Sequence, residues 1–430
     1  MTHREMHVPV VARVEGEGAL HVKVSSGGEV TDLRLEIYEP PRFFEAFLAG
    51  RHFSEVPDIV PRICGICPVA YQMSAIHGLE QLFGVEPTPG TAELRRLLYL
   101  GEWIESHMLH VHLLAAPDFL GLDSAVELAR IDRPAVERGL RLKRLGNDLM
   151  AAIGGREIHP VSPRVGGFSK APRPRDLALF AGRLEEAAGE ILEVADWVGS
   201  LAMPAFTRPV EYASLVHPDE YPVNRGTVRT TEGRAFDAAG FEEHVEELHV
   251  EHSNALHARL VGADSYVVGP LARVVLNPSQ LGPVATEAAA RSGLALPSDD
   301  AFASTAARVV ETALAIEESL AIVRGYVEPD PPQVPVTPRA GRATWITEAP
   351  RGMLYHRYDV AADGRIVEAR IVPPTSQNLR HIEQDLRAFV PTVLEHDDAE
   401  VARLCEMVVR TYDPCISCAT HFLHLDLERG

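Results

Sequence analysis

Apolar and polar residues alternate along residues 7–38, and a Gly-Gly pair at 27–28 interrupts the alternation. A period of two predicts an N-terminal β hairpin or small sheet. Between residues 41 and 327 the apolar positions recur mostly at helical spacing, most clearly over 92–114, 124–153, 174–201 and 300–327. These runs predict a core of long helices.

The last hundred residues change pattern twice. A proline-rich segment at 328–332 ends the helical region, and strand-like alternation follows at about 343–372. Helical periodicity returns at about 376–389 and 399–411, directly before a motif that ends at residue 421. The prediction is an α+β fold, mainly a long-helix bundle with small β-sheets near the N-terminus and in the C-terminal half. We expect residues 1–430 to form one domain.

Composition narrows the functional class. The chain is 46% hydrophobic and 24% charged, as in globular proteins, and its formal charge of −20 argues against nucleic acid as a partner. No apolar run approaches the roughly 20 residues of a transmembrane segment. The first residues lack the order of a secretory signal. Five cysteines in a long chain favour a reducing compartment, so we expect a cytoplasmic enzyme.

Four of the five cysteines form two Cys-x-x-Cys pairs near opposite ends of the chain, Cys64 with Cys67 and Cys415 with Cys418. Thiolates at this spacing suit a soft metal, a redox pair or an iron–sulfur cluster. If the fold brings the chain ends together, all four converge on one site.

Two of the three simple interpretations meet a difficulty, although the sequence leaves all of them open. Structural zinc is the commonest use of four cysteines, but zinc ribbons close within a few dozen residues. A thioredoxin-type pair is disfavoured by the presence of two pairs with no βαβ unit around them. The two-plus-two spacing is compatible with an iron–sulfur cluster. Gly65 inside the first pair permits close approach of a bulky group.

Several motifs together resemble the large, catalytic subunit of nickel–iron hydrogenases. They occur in family order and cover almost the whole chain: Arg13-Val14-Glu15-Gly16, Arg62-x-Cys64-Gly65-x-Cys67, Ala349-Pro350-Arg351-Gly352 and Asp413-Pro414-Cys415-x-x-Cys418-x-x-His421.

This resemblance implies a nickel–iron centre held by the four thiolates, with carbon monoxide and cyanide on the iron. Cys64 and Cys415 would be terminal nickel ligands, and Cys67 and Cys418 would bridge the two metals. The implied reaction is reversible heterolytic cleavage of H2 into protons and electrons.

The resemblance also assigns roles around the centre. Pro350 and Arg351 would lie over the metals, where the guanidinium polarises the incoming molecule. Glu15 would take the proton from Cys415, and Asp413 would hydrogen-bond Arg351. Taken singly, each of these residues is more often an ordinary surface or turn residue.

A second metal site follows from the same resemblance. Glu45 and His421 would hold magnesium or iron, which suits a carboxylate and an imidazole. Three further histidines, His107, His110 and His112, lie at helical spacing, where buried structural histidines are common. The remaining cysteine, Cys405, is expected to be a buried apolar residue.

Two positions depart from the family pattern. Tyr71 stands where many members have a histidine, and Ser106 stands where an aspartate often occurs. Neither change removes a metal ligand. Tyr71, the run at 117–121 and the short chain resemble the cytoplasmic NAD(P)-coupled, sulfhydrogenase-like branch.

The number of cysteines left over indicates which partner subunits are needed. With four cysteines committed, no iron–sulfur cluster is expected in this chain, so an iron–sulfur small subunit must carry the electrons onward. The sequence contains no Gly-x-Gly-x-x-Gly fingerprint, so flavin and NAD(P) would bind to diaphorase subunits. The family further implies nickel-insertion chaperones and an endopeptidase that removes residues 422–430.

Two rival interpretations remain at this stage. A hydrogen-sensing protein would carry the same centre with little turnover. The quinone-site subunit of respiratory complex I shares the fold but typically lacks these cysteines.

Overall fold

The computed structural model describes residues 4–421. The β-strands are β1 (Arg4–Val8), β2 (Gly18–Val24), β3 (Val30–Ile37), β4 (Pro163–Arg164), β5 (Gly167–Phe168), β6 (Ala213–Val216), β7 (Thr227–Thr230), β8 (Ala235–Phe236), β9 (Val245–Leu248), β10 (His257–Leu260), β11 (Gly341–Ala349), β12 (Gly352–Val360) and β13 (Ile366–Val372).

The α-helices are α1 (Phe44–Leu48), α2 (Val56–Ile59), α3 (Pro68–Phe83), α4 (Pro89–Leu109), α5 (Ala116–Phe119), α6 (Ala125–Ile131), α7 (Arg133–Gly154), α8 (Pro174–Leu177), α9 (Ala181–Gly199), α10 (Phe241–His244), α11 (Pro270–Leu276), α12 (Pro283–Arg291), α13 (Ser304–Gly325), α14 (Pro374–Phe389), α15 (Asp398–Thr411) and α16 (Ile416–Ala419). A π-helical segment, His110–Ala115, extends α4, and short 3-10 helices occupy Phe53–Glu55, Val60–Ile63, Ala178–Phe180, Pro278–Gln280, Ala301–Ala303 and Val390–Val393.

The long helices form the core, as the periodicity predicts. Helices α3, α4, α7, α9 and α13 pack around one buried apolar cluster that also contains the four paired cysteines. Where α4 crosses α7, the backbones approach closely. A Cβ atom built on Gly146 would lie 2.4 Å from the carbonyl oxygen of Gly101, so only glycine fits there.

The N-terminal β region is a three-stranded antiparallel sheet in the order β1-β2-β3 rather than a simple hairpin. Its turn at 27–28 is where the sequence predicts it, and Gly28 has a φ of +86°. The apolar face of this sheet packs on α14 and α15 in a second buried cluster. The N-terminal segment is thereby placed against the C-terminal helices.

The interval predicted as helical core, 41–327, also contains strands. Strands β4 to β10 lie between residues 163 and 260, and β6-β7-β8 form a further three-stranded sheet. These strands have two to four residues each. Runs this short give too few alternations to separate them from loops by pattern.

The predicted C-terminal β region divides into β11, β12 and β13, in that order in an antiparallel sheet. Ala349 pairs with Gly352, so Pro350 and Arg351 form a two-residue hairpin turn. Gly352 has a φ of +133°, which favours glycine at this position. The turn projects Arg351 from the end of a rigid hairpin into the interior.

A buried ion-pair network joins three distant segments. Arg410 in α15 donates to both carboxylate oxygens of Asp118 in α5 at 2.7 and 2.8 Å. Arg13 donates to the same carboxylate. The side chains of Arg410 and Asp118 are 2% and 1% exposed. Asp118, together with Glu406 at 3.6 Å from Arg410, offsets the charge of two arginines that would otherwise repel each other where the chain ends meet.

Within residues 4–421, we find no helix with the length and apolar character needed to cross a membrane.

The Asp118 network yields a stability prediction. We expect Asp118→Asn to lower the free energy of unfolding by about 3–5 kcal/mol, because the change removes the nearest carboxylate from two arginines in a buried network. Urea unfolding of the purified protein measures this difference. The control is Asp123→Asn at an exposed position, which should stay within about 0.5 kcal/mol of the unsubstituted protein. Equal stability of the two variants would contradict the role assigned to Asp118.

Candidate metal centre

The first cysteine pair lies where a 3-10 helix meets α3. Cys64 directly follows Val60–Ile63, and Cys67 is the N-cap residue of α3, with Pro68 at the first helical position. The Sγ atom of Cys64 accepts hydrogen bonds from the backbone N–H groups of Ile66 and Cys67 at 3.3 and 3.2 Å. The helix start thereby orients Cys64 toward the interior.

The second pair is held by contacts from other parts of the chain. The backbone N–H of Cys415 donates to Thr375 Oγ1 at 2.9 Å. Glu15 and Cys415 form a parallel β-bridge, in which the N–H of Ile416 donates to the Glu15 carbonyl at 2.9 Å. This bridge directly joins the two terminal motifs.

The four cysteine sulfurs converge on one small space. The Sγ atoms of Cys64 and Cys415 are 3.4 Å apart, those of Cys67 and Cys418 3.7 Å, and those of Cys415 and Cys418 2.7 Å. All four lie within 4.8 Å of one another, and none of the four residues is more than 3% exposed. They are free thiols, since a disulfide requires about 2.05 Å.

The electrostatics of this cluster fit a metal centre. Burial raises the pKa of Cys67, Cys415 and Cys418. Burial acts in the same direction on Cys64, but hydrogen bonds from the other three thiols lower the pKa of Cys64 well below its usual value. Four thiolates are therefore compatible with this space only when cations compensate their charge. Four soft sulfur donors favour nickel or another thiophilic ion over magnesium or calcium.

Arg351 supplies a fixed positive charge beside the sulfurs. Its Nε donates to the Asp413 carbonyl at 2.7 Å, and one Nη donates to the Asp413 carboxylate at 2.9 Å. Burial lowers the pKa of Arg351, but Asp413 and the cysteine sulfurs outweigh burial and raise the pKa well above its usual value. The other terminal nitrogen, Nη1, is buried without a hydrogen-bond partner among residues 4–421. It is a donor available to a bound group.

The hairpin turn that carries Arg351 is itself anchored. Arg273 donates to the Pro350 carbonyl at 2.9 Å and to the Ala349 carbonyl at 2.8 Å. It also pairs with Glu311 and Glu348, and all three side chains are fully buried. Sequence reasoning missed Arg273, because one arginine in a helix gives no signal of the hairpin it supports.

Glu15 lies against the terminal sulfur. Its Oε2 accepts from Cys415 Sγ at 3.1 Å and from the backbone N–H of Ser417 at 3.1 Å. Burial raises the pKa of Glu15, and the negative charge of Cys64 raises it further. The neighbouring Glu17 is exposed. Of Glu15 and Glu17, only Glu15 contacts the cysteine cluster.

A path of polar groups leads away from Glu15. The hydroxyl of Ser417, whose N–H binds Glu15, donates to Glu39 Oε2 at 3.0 Å. Glu39 lies two residues after the end of β3 and is partly exposed. No sequence pattern indicated this path, because Ser417 and Glu39 are far apart along the chain.

Glu45 and His421 also come together. His421 Nε2 lies 3.9 Å from Glu45 Oε1 and 3.0 Å from the Ile371 carbonyl oxygen, while Nδ1 contacts the Cys418 carbonyl. Burial lowers the pKa of His421 to about 4, so its ring is neutral and has one N–H. When that proton is on Nδ1, the lone pair of His421 Nε2 faces Glu45 Oε1 and the Ile371 carbonyl oxygen. Such a set suits a cation.

The third member of that set, the Ile371 carbonyl, was not predicted. Burial raises the pKa of Glu45 to about 8, which favours its uncharged form unless a cation is present. A backbone carbonyl can be supplied by any residue type, so no sequence signal marks it.

The three histidines of the α4 region serve structural contacts. His107 Nε2 lies 3.0 Å from Glu311, His110 Nε2 lies 2.7 Å from the Arg410 carbonyl, and His112 stacks on Trp197. Burial lowers their pKa values to about 4, 3 and 4 respectively. Each is a neutral core histidine.

The two departures from the family pattern are both buried. The Tyr71 hydroxyl and the Ser106 hydroxyl have no hydrogen-bond partner among the described residues. Tyr71 is close enough to the cysteine cluster for burial and the negative sulfurs to raise its pKa. Its ring lies 5.6 Å from that of His356. A histidine is thus present beside Tyr71, although it comes from β12.

Cys405 lies apart from the cluster, buried in α15, where burial raises its pKa to about 12. The tail at 422–430 lies outside the described residues.

Comparison with known proteins agrees with this geometry. The family model for nickel-dependent hydrogenase matches residues 42–133 and 261–421. Sulfhydrogenase 1 subunit alpha of Pyrococcus furiosus is 32% identical over 98% of this chain and 100% of the relative. NAD-reducing hydrogenase HoxS subunit beta of Cupriavidus necator is 27% identical over 98% of this chain and 95% of the relative.

A solved structure of a NAD+-reducing [NiFe]-hydrogenase in the H2-reduced state superposes with a TM-score of 0.86 at 27% identity, covering 97% of this chain and 99% of that one. A [NiFeSe]-hydrogenase of Dm. baculatum, at 22% identity and a TM-score of 0.78, shares the fold. The α+β fold and the family resemblance predicted from the sequence are both confirmed. The chain therefore belongs to the nickel-dependent hydrogenases, as a large subunit.

Proposed function

We propose that this large subunit cleaves H2 reversibly into protons and electrons at a nickel–iron centre bound by its four paired cysteines. The observation that carries the proposal is the convergence of four buried sulfurs within 4.8 Å of one another. The whole chain acts as one hydrogenase large-subunit domain. The family match and the retained cysteines argue against the complex I relative.

The cysteines would hold nickel together with an iron that carries carbon monoxide and cyanide. Cys64 and Cys415 would be terminal ligands to nickel, and Cys67 and Cys418 would bridge to the iron. The free Nη1 donor of Arg351 and the Pro350–Arg351 turn support a polar non-protein ligand beside the sulfurs. When bound, such a centre supplies an electron-rich site for heterolytic cleavage of H2.

Arg351 would position and polarise the incoming molecule. Its guanidinium is held by two hydrogen bonds to Asp413, which in turn precedes the second cysteine pair by two residues. A charge fixed in this way needs no reorganisation during the reaction. Asp413 acts through Arg351, as a positioning residue.

Glu15 would receive the proton at Oε2 from Cys415 Sγ, across their 3.1 Å contact. Its raised pKa suits a group that both takes up and releases a proton. Ser417 and Glu39 extend this path toward solvent. Glu45, His421 and the Ile371 carbonyl would hold magnesium or iron beside the C-terminal turn.

Electrons would leave through a separate iron–sulfur small subunit, because Cys405 alone remains outside the centre. The sulfhydrogenase and HoxS relatives are themselves named as subunits. The similarity to NAD-reducing hydrogenases supports flavin- and NAD(P)-binding diaphorase partners and a cytoplasmic location. Nickel-insertion chaperones and removal of residues 422–430 by an endopeptidase would complete maturation.

Replacing one ligand tests the centre itself. We expect Cys415→Ser to abolish dye-linked H2 oxidation and to reduce bound nickel to background, because assembly of the site depends on every thiolate. Metal analysis of the purified protein gives the nickel and iron content. Cys405→Ser makes the same change at a buried thiol outside the cluster and should leave metal content and activity near normal. Full nickel content in Cys415→Ser would refute the ligand assignment.

Replacing the proton acceptor tests the relay. Glu15→Gln should lower turnover by about 10²–10⁴-fold, because the amide occupies the same space but cannot accept the proton. The metal content should not change. Glu17→Gln, at the exposed glutamate two residues away, should retain normal turnover. If both variants turn over alike, Glu15 is not the proton acceptor.

Replacing Arg351 tests whether its guanidinium polarises the incoming H2. Arg351→Lys keeps the positive charge but loses the planar fork, so we expect turnover to fall by about 10²–10³-fold with nickel and iron retained. Arg342→Lys makes the same substitution at the exposed start of β11, where the arginine is 61% exposed. Turnover in that control should be unchanged. Full activity of Arg351→Lys would exclude the proposed role.

A further inference from the structure

A further group of metal-ligating side chains lies outside the hydrogenase centre. It consists of His252, His257 and Glu383. His252 is in the loop between β9 and β10, His257 is the first residue of β10, and Glu383 is in α14. This cluster shares no residue with the four-cysteine site or with the Glu45–His421 pair.

The three side chains already converge. One ligand atom from each, a ring nitrogen or a carboxylate oxygen, lies within 4.8 Å of the other two. His252 Nε2 is 2.7 Å from Glu383 Oε1. The two imidazole rings meet edge to face with their centroids 5.8 Å apart.

The hydrogen bonds within the cluster leave ligand atoms unused. His257 is 1% exposed, and its Nε2 has no hydrogen-bond partner among residues 4–421. Oε1 of Glu383 accepts from both His252 and the backbone N–H of Leu35, whereas no described residue donates to Oε2. A buried imidazole nitrogen without a partner is costly unless an ion or water satisfies it. Burial also lowers the pKa of His257 to about 4, so its ring stays neutral and keeps a lone pair.

We propose that His252, His257 and Glu383 form a further binding site, separate from the cysteine centre and from the Glu45–His421 pair, for a divalent transition-metal ion of the Zn²⁺ type. Two imidazoles and one carboxylate are a donor set typical of zinc and of iron(II). His252 and Glu383 are 21% and 14% exposed, so one side of the site is open to water as a further ligand. The buried His257 closes the opposite side.

Binding requires only side-chain movement. Ligand bonds of roughly 2.0–2.1 Å around a tetrahedral ion place two ligand atoms about 3.3 Å apart. The 2.7 Å contact between His252 Nε2 and Glu383 Oε1 must therefore widen slightly, while a ligand atom of His257 already lies within 4.8 Å of both partners. Both histidines belong to one short hairpin, so the backbone already sets their spacing.

The bound ion would link the β9–β10 loop to α14, which itself contacts β3. Glu383 already holds β3 through the N–H of Leu35, and the N–H of Asn254 in the hairpin loop donates to the Ile37 carbonyl at 2.7 Å. An ion on His252 and His257 would fasten this loop to α14 at the same place. An ion that binds only the folded protein also raises its thermal stability.

Zinc titration of the purified, chelator-treated hydrogenase complex tests the site. We expect the complex to retain one Zn²⁺ at this cluster after dialysis, measured by elemental analysis, and Zn²⁺ to raise its Tm. His252→Gln keeps a donor for Glu383 but removes the imidazole, so Zn²⁺ affinity should fall by about tenfold or more. Glu383→Gln should weaken binding likewise. His396→Gln removes an exposed histidine elsewhere and should leave binding unchanged.

The outcomes separate the proposal from its alternatives. Retention of Zn²⁺ at full affinity in both His252→Gln and Glu383→Gln would place the ion elsewhere, including at Glu45 and His421, and would overturn the assignment. No retained Zn²⁺ in the unsubstituted complex would show that the cluster is only a hydrogen-bonded structural contact. Nickel content and circular dichroism of each variant establish that it is folded. In Co²⁺-loaded protein, a visible ligand-field band that His252→Gln lacks would support the site independently.

Discussion

The burial of four cysteine sulfurs in one small space is the constraint on which the rest of this structure depends. Each ionised thiolate removed from water carries a penalty of several kcal/mol unless a positive charge compensates it. Nickel bound by the sulfurs would supply most of that charge, and Arg351 supplies a fixed part of it. Arg351 is itself held by Asp413 and by a hairpin that Arg273 anchors. The surrounding charged residues are thus arranged around the requirements of the sulfurs.

A second constraint follows, because the two cysteine pairs come from opposite ends of the chain. Helix α16, with four residues, is too short to be stable without tertiary contacts. The bridge from Ile416 to Glu15 and the pairing of Asp118 with Arg13 and Arg410 provide such contacts. The strand-like segment at the N-terminus is therefore part of the metal centre, although it contributes no sulfur.

Much of the fold and of the cysteine centre could be predicted from the sequence, because the relevant signals are local. Cys-x-x-Cys pairs, the Ala-Pro-Arg-Gly turn and long helical periodicity each occupy a few adjacent residues, and the structure brings the cysteines, Arg351 and Glu15 together. Three features could not be predicted. Strands of two to four residues give no clear period, the Ile371 carbonyl has no side-chain signature, and the Ser417–Glu39 contact joins distant segments. Each depends on tertiary structure alone.

His421 lies between the second cysteine pair and Glu45. One ring nitrogen contacts the carbonyl of Cys418, and the other faces Ile371 and Glu45. The backbone carbonyls of Thr420 and His421 also accept hydrogen bonds from Arg42 and Phe44, at the start of α1. A cation at Glu45 would fix the His421 ring, and the ring would fix the turn that presents Cys418. A cation at Glu45 and His421 would therefore act on the orientation of a sulfur ligand rather than on the reaction directly.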